Sequence, residues 1–306
     1  MEVPIDKLAE RVEILRSGCQ FQQITKGFST EQKYIVTTEF DDKVLLRVMP
    51  VEQFNRKDKE FGIIQQMYSA NVKAPKPITI GKCEDLSLCY YVLSYIEGID
   101  AEDALKNYSV DVQFNIGVEA GKDLRMMHQH EAPMDVAPWY ERVIKKHRTY
   151  VDAYKKTGVS VKKADKIIKF IEESEPYLKN RPNRFQHDDF HVANIIVNDG
   201  NYAGVIDFNR YDWGDPLHDF LKVAFFSSQV SIPFSVGQLH GYFKGELIPD
   251  YFWKLYSVYV AMSVFATVVW TMRVVPENID GMMDRINRVL EDHKYFECRE
   301  PSWFTD

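Results

Sequence analysis

Strand-like and helix-like patterns are segregated along this chain, and the changeover falls near Ser94–Asp100. Strands gathered first and helices afterwards make an α+β protein, because alternation is what builds a parallel α/β sheet. Residues 19–49 read as strand, small-residue loop, strand, tight turn at Asp41-Asp42, and strand. Residues 51–69 carry Phe54, Phe61, Ile64 and Met67 mostly at three- or four-residue spacing, which predicts a helix. Two further strands follow near 77–82 and 88–96, ending at Glu97-Gly98. The first hundred residues therefore read as a five-stranded antiparallel sheet with one inserted helix. Ahead of them Ile5, Leu8, Val12 and Leu15 form a short amphipathic pattern. After Gly98, helical periodicity occupies about 101–129, 138–156 and 161–178. Short strand-like patches then appear at 185–191, 194–198 and 202–207, and a helix is expected from DPLHDFLKVAFF, with Asp215 as cap and Pro216 in the first turn. The expected division is an N-terminal lobe, 1–97, and a mainly helical C-terminal lobe, 98–306.

The chain has 306 residues, enough for two lobes sharing a cleft. Its formal net charge of -7 speaks against wrapping DNA or RNA and suits a cationic ligand better. Cys19, Cys83, Cys89 and Cys298 form no C-x-x-C pair, and no export signal precedes them, so reduced thiols in a cytoplasmic protein are expected. The uncharged run 255–272 has the length of a membrane span, but Tyr256, Ser257, Tyr259, Ser263, Thr267 and Thr271 interrupt it. A helix buried in the C-terminal lobe is the expectation, with no membrane partner.

The chemistry is concentrated in His187-Asp188-Asp189-Phe190-His191-Val192-Ala193-Asn194 and in Val205-Ile206-Asp207-Phe208-Asn209. Phosphoryl transfer needs a carboxylate to take the proton of the attacking hydroxyl and oxygen ligands to hold magnesium on the phosphates. Asp189 and Asn194 supply a base and an amide ligand from one loop, and Asp207 supplies a carboxylate at the end of a strand. This is the H-x-D-x-x-x-x-N then D-F order of the kinase signature.

On these motifs the sequence resembles the aminoglycoside phosphotransferase family, which also includes macrolide, choline and related small-molecule kinases. The family's H-G-D-x-H-x-x-N loop corresponds to HDDFHVAN, its I-D-F to Ile206-Asp207-Phe208, and its G-D-P-x-x-D to Gly214-Asp215-Pro216 with Asp219. The resemblance covers roughly residues 20–225. It implies a bilobal protein-kinase-like fold with Asp189 as catalytic base, Asn194 and Asp207 on Mg2+, and ATP or GTP bound between the lobes. It implies structural roles for Asp215 and Asp219, tying the next helix. Gly27-Phe28-Ser29 lies where the phosphate-covering loop belongs, making Gly27 and Ser29 nucleotide contacts, although a plain hairpin turn fits as well. Arg47 stands where the third strand usually presents a lysine, with Glu60 as its partner. VLSYIEG resembles the hinge, so backbone at Ser94 and Ile96 should meet the base.

Asp188 replaces the family's usual glycine, and Asn209 with no A-P-E segment argues against a protein kinase. Asp188, Tyr211, Asp212 and Trp213 are candidate acceptor contacts. A cationic small-molecule alcohol is expected, an aminoglycoside first; macrolide, choline-like and sugar acceptors are alternatives. Two other readings are a nucleotide sensor without catalysis and a metal hydrolase using His187, Asp188, His191, His218 and Asp219.

Overall fold

A computed structural model describes residues 3–15, 18–25 and 31–304. The chain divides into two compact units. The first holds the residues up to Gly98 together with Ala203–Asn209; the second holds Ile99–Tyr202 and the chain from Arg210 onward. Residues 203–209, which the sequence reading left in the second lobe, thus group with the first. The Val205 N–H donates to the Lys73 carbonyl at 2.9 Å, and a Cβ on Gly204 would lie 2.3 Å from that same oxygen. Only glycine permits so close a backbone approach.

In the first unit, α1 (Ile5–Ala9) and the turn behind it place Leu8, Val12 and Leu15 into the core. Strands β1 (Gln20–Ile24), β2 (Gln32–Thr37) and β3 (Lys43–Pro50) follow. Helix α2 (Phe54–Ser69) comes next, and then β4 (Pro77–Cys83) and β5 (Leu88–Ser94). They form one antiparallel sheet in the order β1-β2-β3-β5-β4. Alternation along β2 and β3 sends Tyr34, Val36, Val44, Leu46 and Val48 into one core with Leu8 and Val12, while Arg47, Met49 and Tyr91 are buried on the opposite face of the sheet. The register sets Arg47 between Lys33 on β2 and Tyr91 on β5.

The second unit begins with β6 (Ile99–Asp100), α3 (Ala101–Ala104) and α4 (Val110–Met127). The single helical stretch expected over 101–129 is broken because Ser109 leaves the helical path and caps α4, its hydroxyl accepting from the Val112 N–H. Helices α5 (Trp139–Tyr154) and α6 (Ala164–Ser174) precede β7 (Arg184–Gln186) and β8 (Ile195–Asn198); β9 (Asn201–Val205) follows across the turn at Asp199-Gly200. β6 pairs with β8, and β7 pairs with β10 (Asp212–Gly214). Short α7 (Ser228–Val230) leads to α8 (Ile232–Tyr242), α9 (Asp250–Val274) and α10 (Ile279–Asp292).

The long apolar α9 is mostly buried, with Tyr256, Tyr259, Val260 and Phe265 almost without exposure, and it packs against α5, α6 and α10. Tyr259 explains part of its polar content: its hydroxyl donates to Asp215 at 2.7 Å and accepts from Trp139 Nε1 at 3.0 Å. The segment after Asp215 departs from the regular helix expected. Asp215 does cap it, accepting from the Leu217 N–H at 3.2 Å, but Pro216–Phe220 is a tight 3₁₀ turn and Val223–Ser227 a wide π turn. From this segment Asp219 and Lys222 reach the loop described next.

Candidate active site

β7 carries the chain into the His187–Asn194 loop, and one buried carboxylate holds the entry. Asp219 Oδ2 accepts the His187 N–H at 2.8 Å and Oδ1 the Asp188 N–H at 2.7 Å, while His128 Nε2 lies 3.0 Å from Oδ2. Asp219 therefore braces this loop more than the helix after it. Asp188 sits at φ +57°, the left-handed region that costs glycine least and that aspartate tolerates better than most residues. The same dihedral would suit the glycine that the family resemblance leads one to expect there. Its carboxylate lies 3.3 Å from His218 Nδ1. Burial opposes the charge on Asp188, but the His218 hydrogen bond and the positive charges of His218, Lys146 and Lys222 bring its pKa down to about 2.

Asp189 follows with its carboxylate half-buried. Lys222 Nζ donates to Oδ1 at 2.8 Å; His191 Nε2 is 3.5 Å from that oxygen, and Arg210 Nε is 3.8 Å from Oδ2. Burial would raise this carboxyl, yet the contacts with His191 and Lys222 outweigh it and hold it well below the usual carboxylate range. Asp189 is thus a charged acceptor at neutral pH. Asn194, ending the loop, donates through Nδ2 to the Asp189 carbonyl at 2.9 Å and to Oδ2 at 3.3 Å. Its Oδ1 takes no protein donor among the described residues, so the amide's oxygen is left as a hard ligand.

In the first unit, Asp207 ends the β9 segment at φ +65° with its side chain a quarter exposed. Arg47 Nη1 is 3.4 Å from Oδ1. The Arg47–Glu60 pair is present at 3.7 Å but is the weaker part of a buried network. Glu31 takes Arg47 Nε at 2.9 Å and also Lys57 Nζ; Glu60 takes Lys57 Nζ at 2.5 Å and the Tyr91 hydroxyl at 2.7 Å. Burial opposes the Arg47 charge, and Tyr91, Glu31, Asp207 and Glu60 together more than compensate, raising its pKa. The sequence reading missed Glu31 and Lys57. The only signal for Lys57 was its place one helical turn before Glu60. Gly27 and Ser29 lie outside the described residues. The Ser94 N–H donates to the Lys76 carbonyl at 2.8 Å and is thereby taken, whereas Ile96 makes no hydrogen bond among the described residues.

Of the acceptor candidates, Asp212 is already paired with Arg142 at 3.0 Å. The Trp213 carbonyl accepts from the same guanidinium, and Tyr211 stacks on Phe185 with ring centroids 6.2 Å apart. Asp188, His218 and Asp219 converge closely enough to suggest a metal centre. However, Asp219 already receives the two loop N–H groups and faces His128. His187 and His191 stand outside that group among the described residues, and the bonds of Asp219 make the cluster a brace for the loop.

A family model described as the phosphotransferase enzyme family matches residues 20–253, well over half of the chain. The chain belongs to that family. Among solved structures, this phosphotransferase is similar to the GDP complex of aminoglycoside 2'-phosphotransferase-IIIa, at 13% identity and a TM-score of 0.68 over 96% of this chain and 100% of that one. It is similar also to a thermostable mutant of aminoglycoside phosphotransferase APH(4)-Ia in ternary complex with AMP-PNP and hygromycin B (15%, TM-score 0.65, 94% and 98% covered). A choline/ethanolamine kinase family protein from Mesorhizobium loti matches at 16% and 0.66, with 95% and 94% covered. At such identities the likeness carries the fold, which is protein-kinase-like and mixed α+β. No curated protein matches the sequence.

Proposed function

We propose that this phosphotransferase moves the γ-phosphate of ATP or GTP to a hydroxyl of a small molecule, with Asp189 as general base. The observation that carries the reading is the Asp189–Asn194 loop. One short segment holds an ionised carboxylate by its neighbours and, through the inward-turned Asn194 amide, leaves one amide oxygen unused. The carboxylate orients the acceptor hydroxyl and takes its proton as the new P–O bond forms and the bond to the diphosphate breaks. Asp207 and the Asn194 amide are oxygen donors of the kind magnesium selects, and the ion when bound would neutralise charge on the phosphates. Arg47, fixed by Glu31, offers a rigid fork of donors to the same phosphates. Ser94, Ile96, Gly27 and Ser29 complete the proposed nucleotide contacts, and the protein is proposed to act in the cytoplasm.

An aminoglycoside is the first acceptor to test, because a structural relative was solved with hygromycin B. The choline/ethanolamine kinase relative keeps smaller amino alcohols in the panel. The test is nucleotide consumption with magnesium across aminoglycosides, macrolides and amino alcohols, with Asp189→Asn as control. Acceptor-dependent turnover that the variant loses, while it still binds nucleotide, is the expected result. Turnover retained in Asp189→Asn refutes the assignment of the base.

A further inference from the structure

Lys222 is not part of any motif that identified the site, yet among the described residues it is the nearest cation to the proposed base. Its ammonium sits 2.8 Å from Asp189 Oδ1 and its side chain is largely buried. Two further features hold it there. The π turn Val223–Ser227 begins at the next residue, and such wide turns inside helices recur at functional sites. That turn carries Phe226, whose ring centroid lies 5.5 Å from Lys222 Nζ. His191 stacks on the same ring at 4.5 Å, and Arg285 lies over it at 4.7 Å. The ring is thus a shelf that fixes the loop histidine and the lysine together. A lysine recruited only to neutralise a surface acid has no need of so built a setting.

Resting on the kinase reading, we infer that Lys222 is a catalytic residue, the cation that stabilises negative charge on the transferred phosphoryl group. Before substrate arrives it pairs with Asp189. When the acceptor hydroxyl hydrogen-bonds to that carboxylate, the ammonium remains within reach of the same reacting oxygen. The step balances without any further reactant: the hydroxyl proton passes to Asp189, its oxygen bonds the γ-phosphorus, and the bridging oxygen leaves with the diphosphate. Charge spread over the equatorial phosphoryl oxygens during this exchange is what a fixed ammonium favours, and removing one such donor costs on the order of a hundredfold in kcat.

The test needs no knowledge of the acceptor. Binding of magnesium with ADP or GDP is measured by titration calorimetry, with and without aluminium fluoride as a mimic of the transferring group. Wild type, Lys222→Met and Lys222→Arg are compared after a check that each retains the wild-type unfolding transition. The expected result is equal diphosphate affinity in all three, a gain on adding aluminium fluoride in the wild type, at least tenfold loss of that gain in Lys222→Met, and partial recovery in Lys222→Arg. A full gain in Lys222→Met overturns the inference while leaving the kinase reading intact. So does a wild type that binds diphosphate but gains nothing from the fluoride. Absence of any magnesium-dependent diphosphate binding by the wild type refutes the kinase reading itself, and the inference with it.

Discussion

Asp188 shows how backbone conformation and side-chain chemistry can make separate demands on one position. The backbone at φ +57° favours glycine, whereas the carboxylate has found a partner in His218. Asp188→Gly should therefore relieve a backbone cost while losing one hydrogen bond, terms of about 1 kcal/mol each and opposite in sign. We predict a urea midpoint close to wild type for Asp188→Gly. Asp188→Val, β-branched at the same dihedral, should lose about 2 kcal/mol. Equal destabilisation of both variants would show that the His218 contact, not the dihedral, governs the position. The loop around Asp188 was legible in the sequence because base, amide and histidines lie within eight consecutive residues. Lys222 and Glu31 were not, since each meets its partner only through the fold: Lys222 reaches Asp189 from 33 residues away and Glu31 reaches Arg47 from 16.

At the scale of elements, α4 and α8 come closer than helices with side chains between them can. A Cβ added at Gly117 would lie 2.1 Å from the Phe234 carbonyl, and one at Gly237 would lie 2.1 Å from that of Phe114; Gly121 and Gly241 repeat the contact one turn on. Two glycines four residues apart on each helix make the seam, and neither helix can slide without losing it. Gly117→Ala must push the helices apart, and we expect about 1–3 kcal/mol lost, read as a lower urea midpoint. The glycines were visible in the sequence, but nothing local says which of them face another backbone. The same holds for the 3₁₀ and π turns after Asp215. A reading based on 3.6-residue periodicity makes that segment one helix, whereas its backbone closes tighter at Pro216–Phe220 and wider at Val223–Ser227.

For the whole molecule, two histidines tie stability to pH. His293 is fully buried, stacked near Phe296 and Tyr256, and burial lowers its pKa to about 3. His147 is lowered to about 4, again by burial first. Both are native as neutral rings, so the unfolded chain binds more protons once pH falls below the ordinary histidine value near 6.5. Stability is complete above that pH and declines as pH drops toward 4, by about 1.4 kcal/mol per pH unit for each histidine. His293→Phe should flatten that decline, cutting the loss between pH 7 and 5 by about 2 kcal/mol in thermal or urea unfolding. An unchanged slope would mean that His293 gains a proton at little cost in the native protein. The acidic residues with depressed values, Asp188 among them, lose their contribution only at still lower pH.

The small segment 203–209 has a consequence for how this protein comes into being. Gly204 and Val205 close onto Lys73, and Asp207 answers Arg47, so the unit that is synthesised first lacks these pieces until the chain has been made through Asn209. On the ribosome, where domains generally fold as units from the N-terminus, the leading third of the chain must wait incomplete for its own last strand end. The order of birth and the order of completion are different here, and a fragment cut at Gly98 would be stranded at that waiting stage.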